Sequence, residues 1–495
     1  MRLAQLLYSD AEYPLQTLLC DIGITDIKLP HIPIYNDTLN INDINTILTT
    51  FDKLAEISIV NDIIHKYMNK KHGSALCIIN HTCDDVVNAY ARRYILVFNN
   101  AMTELNYICN IKSALKNGLY IKDLRYDENV IDNSGNNAPC NLFAKTLKKL
   151  CIDEFECIID DTELANCTFI ENLKIYSIGS HITTFKPFAK SLKSVCLISF
   201  CEVDDKILRS CTSITKLDVD GNKNITSCDA FANTLRILNA SNSYGWESIC
   251  GISDAGLYKC TKIEVLYASF NNNITTCNQF AKTLRILHAD SCGISTDGLK
   301  LCTQIKELNA NDNNRITTCA PFAQSLRILF ASECGICDNG LTLCTQITKL
   351  CASNNPKITT CVPFAKTLRI LSACGSCGIN DDGIKFCTRI EKLFVGYNNN
   401  ITTCAPFAKS LLELYAYNNC GIGDSGLALC INIKELYADN NCKITSCVPF
   451  AKTLRVLSAS GTCGIDDYNL KLCTSITKLY PDKNDKITMH IKPHK

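Results

Sequence analysis

The sequence has no excess of charge of either sign. Lys and Arg number 50 against 49 Asp and Glu, which gives a formal net charge of +1, and no block of basic residues stands out. Proteins that follow a phosphate backbone concentrate Lys and Arg on one face or in one stretch. We therefore do not expect nucleic acid among the partners.

The sequence also lacks long apolar runs. Asp10 and Glu12 interrupt the first apolar residues, and no later stretch approaches the roughly 18 uninterrupted apolar residues of a membrane span. We therefore expect neither a signal peptide nor a spanning helix. The pattern predicts a cytoplasmic protein, with the nucleus as the alternative, and no membrane among its partners.

Motifs of catalysis are absent as well. The sequence contains no G-x-S-x-G, no phosphate-binding loop and no H-E-x-x-H. Its eight histidines are scattered, and only His490 and His494 have a spacing typical of metal ligands. Pro493 lies between them and no pair of cysteines is near, which favours a frayed tail over a metal site. We expect no catalytic residue, no cofactor and no enzymatic activity.

What the sequence does have is a repeat. The phrase Ile-Thr-x-Cys-x-x-Phe-Ala-x-x-Leu returns every 42 or 43 residues, apart from one interval of 49. The longer interval contains residues 244–248, which we interpret as a surface insertion that holds Trp246, the only Trp of the chain. The column cysteine of the phrase recurs at Cys228, Cys277, Cys319, Cys361, Cys404 and Cys447, with Phe185 in that place in an earlier copy.

Each superrepeat contains two half-units of about 21 residues. One runs from Leu284 to Ile294 and the next from Ile305 to Ile316, and both fit L-x-x-L-x-L followed by a turn residue, Cys292 or Asn313. Alternate residues of a short strand point inward, so that Leu287 and Leu308 would share one core that no single repeat can bury. The pattern predicts an α/β leucine-rich-repeat solenoid with a parallel concave sheet and short helical or 3₁₀ turns on its convex side.

The repeats resemble a particular leucine-rich-repeat family. Gly251 to Leu257, followed by Cys260 to Leu266 and later by Ile274-Thr275, is similar to the cysteine-containing repeat of F-box adaptor proteins. The resemblance covers roughly residues 119 to 488 and implies the fold, whereas the repeat serves many partners. Units of about 21 residues are shorter than those usual in that family. Richness in Asn, Ile, Lys and Tyr is typical of an AT-rich genome, such as that of a protist or giant virus.

The chain divides into three predicted parts. Residues 1–118 form a helical N-terminal region, residues 119–488 form about 16 or 17 repeat units, and residues 489–495 form a tail. Helical spacing appears from Ile44 to Ile64 and again from Asp84 to Phe98. A helical cap that covers the first repeat is one interpretation, because exposed solenoid ends need covering.

An F-box is the other interpretation of residues 1–118. The segment from Ile47 to Leu54, followed by Val60 and Tyr67, is similar to the helical core of that module, which docks adaptors onto a ubiquitin ligase through a linker protein. Asn40 stands where the family has Pro, and the terminal Trp of the family is absent. The F-box would be degenerate.

Most of the 33 cysteines lie in the repeats. Equivalent cysteines two units apart would be separated by roughly 10 Å, beyond the reach of a disulfide, so we expect small buried apolar residues. Two C-x-x-C pairs, Cys334 with Cys337 and Cys374 with Cys377, raise the alternative of a zinc site. The members of each pair belong to different parts of the repeat, and we predict no metal.

Strand residues between the core positions would face the concave side. Many are aromatic, and exposed aromatic residues are common interface anchors, although aromatic residues also suit strands without a partner. The first hypothesis is a non-catalytic protein-binding scaffold, and the alternative is a substrate adaptor of a ubiquitin ligase. The predicted partner-binding residues are Tyr267, His288, Phe330, Phe394, Tyr415, Tyr417, Tyr437 and Tyr480.

Overall fold

A computed structural model describes residues 79–81, 93–98, 121–126, 140, 144–152, 159–176, 182–198, 201–243 and 249–488. The chain forms two compact units. One comprises the residues up to 226 together with 246–251, and the other comprises 227–245 and the residues from 252 onwards. The segment from Ile47 to Leu54, the insertion at 244–248 with its Trp246, and both tail histidines lie outside the described residues.

The first unit is built on strands that run parallel in chain order. They are β1 (Ile79–His81), β2 (Arg93–Phe98), β3 (Ile121–Tyr126), β4 (Lys149–Ile152), β5 (Asn172–Ile175), β6 (Ser194–Leu197) and β7 (Lys216–Asp218). Each strand from β2 to β7 is parallel to the next, whereas β1 pairs antiparallel with β2.

The strand β2 corrects one prediction. Helical spacing was expected through Phe98, but residues 93–98 form a strand that pairs with β3. The segment Arg-Tyr-Ile-Leu-Val-Phe is rich in β-branched and aromatic residues, which favour a strand when a partner is available. Parallel pairing therefore begins upstream of residue 119, where the repeats were expected to start.

The second unit continues the pattern with shorter strands. They are β8 (Ile237–Asn239), β9 (Val265–Tyr267), β10 (Ile286–His288), β11 (Glu307–Asn309), β12 (Ile328–Phe330), β13 (Lys349–Cys351), β14 (Ile370–Ser372), β15 (Lys392–Phe394), β16 (Glu413–Tyr415), β17 (Glu435–Tyr437), β18 (Val456–Ser458) and β19 (Lys478–Tyr480). Every strand is parallel to the next.

The register of the second unit confirms the shared core. Leu287 lies opposite Leu308 on the neighbouring strand, and both side chains are fully buried. Because side chains alternate along a strand, the residues on either side of each central Leu point away from this core. The fold is the leucine-rich-repeat solenoid that the sequence predicts.

The returning limbs are single turns, as expected. The α-helical turns are Asp161–Leu164, Asp205–Leu208, Asp338–Leu341, Asp381–Ile384, Asp424–Leu427 and Asp467–Leu470. The 3₁₀ turns are Lys186–Phe188, Asp229–Phe231, Ala255–Leu257, Asn278–Phe280, Asp297–Leu299, Ala320–Phe322, Val362–Phe364, Ala405–Phe407 and Val448–Phe450. Thr318 accepts a hydrogen bond from the Ala320 N–H at 3.1 Å, and Pro321 lies in the first turn, where its missing N–H costs nothing.

The asparagine after each strand of the second half-unit bonds the turn to its neighbour. The Asn313 side chain is buried, and its Nδ2 donates to the carbonyls of Ala289 at 3.0 Å and Ile294 at 3.1 Å. Its Oδ1 accepts from the Arg315 N–H at 2.9 Å. A turn buried among turns has no water to satisfy these backbone groups, so the side chain must do it.

The cysteines that recur in the repeat columns are buried, as predicted, whereas Cys442 is exposed. All the described cysteines are free thiols. Between equivalent cysteines two units apart lies the other half-unit, which carries a cysteine column of its own. The thiol of Cys344 lies close enough to that of Cys319 to raise the pKa of Cys319, and Cys387 has the same effect on Cys361.

Candidate binding face

The first and third residues of strands β8 to β19 form what we call the open face. In nearly every one of these strands the central residue is buried while its two neighbours keep partial exposure. Along the third position the residues read Tyr267, His288, Asn309, Phe330, Cys351, Ser372, Phe394, Tyr415, Tyr437, Ser458 and Tyr480 after Asn239 of β8. The predicted partner-binding residues, except Tyr417, therefore share one row of one sheet face.

Three of these residues form what we call the aromatic stack. The ring centroids of Phe394 and Tyr415 are 4.2 Å apart with an interplanar angle of 16°, and those of Tyr415 and Tyr437 are 4.3 Å apart at 4°. Neighbouring strands lie about 4.8 Å apart, so aromatic residues in register on three successive strands stack face to face. All three side chains keep partial exposure on the open face.

Charged residues border the stack. Lys392 Nζ lies 2.7 Å from Glu413 Oε1, and the Tyr437 hydroxyl donates to Glu435 Oε2 at 3.2 Å. Burial raises the pKa of Tyr415, and burial together with the nearby Tyr415 raises that of Tyr437. Both phenols are therefore neutral hydrogen-bond donors at physiological pH.

Tyr417 widens the patch from the end of its strand. Its ring meets that of Tyr397 edge-on, with centroids 6.3 Å apart, and its hydroxyl lies 3.9 Å from Cys374 Sγ. Burial raises the pKa of Tyr417 to about 12. A Cβ on Gly396 would lie 2.1 Å from the Tyr417 ring, so the glycine leaves the room that this ring occupies. Gly396 was the sequence signal for this arrangement, and the sequence analysis did not use it.

Small polar side chains separate the stack from Phe330. Cys351 and Ser372 occupy the third position on the two intervening strands, and Ser353 Oγ lies 3.0 Å from Ser372 Oγ. Lys349 Nζ lies 4.6 Å from the centroid of the Phe330 ring, within cation–π range. The open face thus has a shallow polar floor between two aromatic borders.

The remaining predicted residues stand apart from the stack. Tyr267 and His288 meet edge-on with ring centroids 4.8 Å apart, and His288 Nε2 is 3.4 Å from Glu307 Oε1. Nearby, Asp290 Oδ1 is buried and lacks a hydrogen-bond partner among the described residues. Tyr480, on the last described strand, is 46% exposed and is separated from Tyr437 by Ser458.

The two C-x-x-C pairs do not converge. Cys334 is buried behind the turn after its strand, with its thiol 3.3 Å from the Ala331 carbonyl, whereas Cys337 immediately precedes the helical turn Asp338–Leu341. Among the described residues, no group of three or more His, Cys, Asp or Glu side chains is arranged to hold a metal ion. In the same part of the chain, no helix has the length and apolar character needed to cross a bilayer.

Three solved structures are similar to the chain at low sequence identity. No protein-family model and no curated protein matches the sequence. An internalin, InlF of Listeria monocytogenes, is similar at 20% identity over 70% of this chain and 98% of that one, with a TM-score of 0.46. The functional domain of InlJ from the same bacterium, which includes a cysteine ladder, is similar at 19% identity over 68% and 74%, with a TM-score of 0.49.

A complex of TLR13 with the RNA ssRNA13 is a third similar structure. It is 15% identical over 70% of this chain and 54% of that one, with a TM-score of 0.41. Similarity at these values assigns no function to the chain, and what each of these proteins binds is a property of that protein.

Proposed function

We propose that the protein is a non-catalytic scaffold that binds another protein on its open face, which the sequence predicts to be concave. The aromatic stack carries the proposal. Three large rings in a row remain partly exposed, and rigid aromatic side chains are the residues that most often dominate protein interfaces. Tyr417, Tyr267, His288, Phe330 and Tyr480 extend the contact on either side.

The borders of the stack indicate the character of the partner. Glu413 and Glu435 lie beside the rings, and among the described residues only Lys392 is close enough to form an ion pair with one of them. A partner segment with Lys or Arg would find both carboxylates and aromatic faces here. A polyanion would meet these carboxylates, so nucleic acid remains excluded from the proposal.

Affinity capture from the native cell tests the proposal. The intact chain and a Tyr415→Ala, Tyr437→Ala variant are compared, and the bound partner is then titrated in purified form. Removing two central anchors should weaken binding by about thirtyfold or more, since anchors of this kind contribute roughly 2 kcal/mol or above.

The matched control removes two tyrosines elsewhere. Tyr258 and Tyr468 are each 75% exposed and lie outside the open face. A Tyr258→Ala, Tyr468→Ala variant should bind as the intact chain does. Equal partner affinity in the stack variant would place the interface somewhere else.

The alternative proposal is a substrate adaptor of a ubiquitin ligase, supported by the F-box-like segment from Ile47 to Leu54. In that case the N-terminal region would bind the ligase linker protein while the open face held the substrate. Purified full-length chain mixed with the linker protein tests it, with Leu48→Ala, Phe51→Ala as the variant. If the intact chain does not bind the linker protein, the adaptor proposal is wrong and the scaffold proposal stands alone.

A further inference from the structure

A row of exposed apolar residues lies outside the open face. Five repeats of the second unit place a large apolar side chain directly before the buried cysteine that precedes the strand. Their exposed fractions are 56% for Leu301, 57% for Leu343, 58% for Phe386, 65% for Leu429 and 50% for Leu472. Isolated exposed apolar residues are ordinary, whereas five at the same place in successive superrepeats recur at intervals of roughly 10 Å and indicate a contact surface.

The fold does not require these apolar side chains. In an earlier copy the same position is Lys259, whose Nζ lies 2.6 Å from Asp229 Oδ2. The position of Asp229 is taken in later copies by Val362 and Val448, which are 48% and 53% exposed. Towards the C-terminus, an exposed ion pair is therefore replaced by exposed apolar residues.

The row becomes densest near its end. Ile431 is 57% exposed, and it stands where the other copies have Thr303, Thr345, Thr388 and Thr474. Its carbonyl accepts a hydrogen bond from Thr453 Oγ1 at 3.1 Å. The backbone of Ile431 therefore contacts Thr453, which is one of the residues that line a cavity.

The cavity has a volume of about 480 Å³ and a basic lining. Three cations line it, together with hydroxyl-bearing residues and one isoleucine, and no carboxylate takes part. The lining residues are Lys434, Lys452, Thr453, Arg455, Thr474, Ser475, Ile476 and Thr477. Leu472 precedes Thr474 by two residues, so apolar side chains flank the cavity from two neighbouring repeats.

The combination of three cations distinguishes this site. Lys366 and Arg369 hold the places of Lys452 and Arg455 in an earlier copy, but there the place of Lys434 is Thr348. The position of Lys434 is Glu264 and Glu391 in earlier copies, where each carboxylate pairs with an arginine of the preceding strand. The position of Arg455 is Leu412 one superrepeat earlier. Within the part of the chain that the structure describes, none of the three cations pairs with a carboxylate.

We propose that this surface docks onto an anionic phospholipid bilayer. The cavity would receive a phosphate-bearing headgroup, while Leu429, Ile431 and Leu472 enter the interface beside it. An anionic membrane presents negative phosphates next to apolar chains, and a peripheral protein that binds it combines Lys or Arg with exposed Leu, Ile or Phe. A second copy of the chain would instead bring its own lysines against these, which charge repulsion opposes.

The proposal revises the expectation that no membrane is a partner. That expectation rested on the absence of a spanning helix, and peripheral docking needs none. It also gives the chain two separate binding surfaces. The open face is formed by strand residues, whereas the residues that line the cavity precede the strands in sequence.

Co-flotation of the full-length protein with vesicles tests the proposal. Vesicles of phosphatidylcholine containing phosphatidylserine should bind the protein, vesicles of phosphatidylcholine alone should not, and added salt should weaken the binding. The cation variant, Lys434→Glu with Arg455→Leu, installs residues that the preceding superrepeat already carries. Because each cation near an anionic surface strengthens binding about fivefold, this variant should bind at least roughly thirtyfold more weakly.

Two further variants separate the contributions. Ile431→Thr with Leu472→Gln keeps every charge, and it should also reduce binding to the anionic vesicles. Lys357→Glu with Lys486→Leu makes the same change in net charge as the cation variant, but in the turns that follow the strands, and it should float as the intact protein does.

Several outcomes would overturn the proposal. Equal binding to neutral vesicles, or equal loss in the Lys357, Lys486 control, would mean that the cavity is not the docking site. Saturable binding of inorganic phosphate that ignores the apolar variant would indicate a site for a free anion. Binding to immobilised polyglutamate without vesicle flotation would indicate an acidic protein, and dimerisation that the apolar variant abolishes would indicate a second copy.

Discussion

The ring of Tyr437 lies parallel to the ring of Tyr415, with centroids 4.3 Å apart. Both rings stand on the open face and keep partial exposure. Leu414, the residue before Tyr415 in the same strand, points into the core and is fully buried. We expect Tyr415→Ala with Tyr437→Ala to lower the free energy of unfolding by only about 1 to 2 kcal/mol, because stacked pairs contribute roughly 0.5–1.5 kcal/mol beyond area. Urea unfolding followed by circular dichroism measures it.

Leu414→Ala provides the comparison. A fully buried Leu in a packed core costs about 2–5 kcal/mol when truncated to Ala. If the double tyrosine variant proved as destabilised as Leu414→Ala, the rings would belong to the core and the open face would lose its anchors.

Asn313 supports a second prediction, on stability alone. Its side chain satisfies two carbonyls of the preceding repeat and one N–H of its own turn. Asn313→Ala would leave these buried groups without partners, at about 1–3 kcal/mol for each unsatisfied group. We expect a loss of at least about 2 kcal/mol in urea unfolding.

Asn314 is the matched control, because it is the adjacent asparagine and its side chain is exposed. Asn314→Ala should change the free energy of unfolding by less than about 0.5 kcal/mol. Similar losses in the two variants would mean that the hydrogen bonds of the Asn313 side chain do not stabilise the turn.

The sequence predicted the core and the turns because both are properties of a short repeating unit. Leu287 and Leu308 fall in register since the side-chain period of a strand is two residues and the unit length is nearly constant. The Asn column follows from the need to satisfy a buried turn. The row of aromatic residues followed from the same register, and strand spacing then accounts for the stack.

Features that depend on contacts between unlike half-units were not predicted. The contact of Cys319 with Cys344 joins cysteines from the two different half-units, and the repeat of either half-unit alone does not predict it. The position of the Tyr417 ring depends on Gly396 in the preceding repeat. The cavity near Lys434 depends on three neighbouring repeats at once, and no single repeat carries its pattern.

Asp290 supports a prediction on pH. Burial, and then repulsion from Asp312, raises the pKa of Asp290 above its ordinary value of 3.8, and one of its carboxylate oxygens has no hydrogen-bond partner among the described residues. A carboxyl whose pKa is raised by folding destabilises the folded state when it is ionised. Asp290→Asn should therefore raise the midpoint of thermal unfolding at neutral pH.

The gain should shrink as the pH falls through the raised pKa and vanish below 3.8, where both states of the intact protein bind the proton. Asp485→Asn, at an exposed carboxylate, serves as the control and should give no such gain. A stabilisation that persisted unchanged below pH 3.8 would have a cause other than the ionisation of Asp290.

The buried thiols predict a loss of stability in alkali. Burial raises the pKa of Cys302 to about 12 and that of Cys292 to about 11, and it raises the pKa of Cys277 as well. An unfolded chain exposes the same thiols, which then ionise near pH 9. Above that pH the unfolded state binds fewer protons, so the free energy of unfolding falls by about 1.4 kcal/mol per pH unit for each such thiol.

Urea unfolding under reducing conditions, repeated at increasing pH, measures this slope. Cys302→Ala should be tolerated, because the other half-unit places Ala323 at the equivalent position before its strand. Between pH 9 and about 12, the free energy of unfolding should fall less steeply with pH in the variant than in the intact protein. The difference in slope should correspond to the one proton that Cys302 holds. Identical slopes for the two proteins would show that Cys302 ionises as readily in the folded chain as in the unfolded one. That result would contradict the burial of this thiol between stacked repeats.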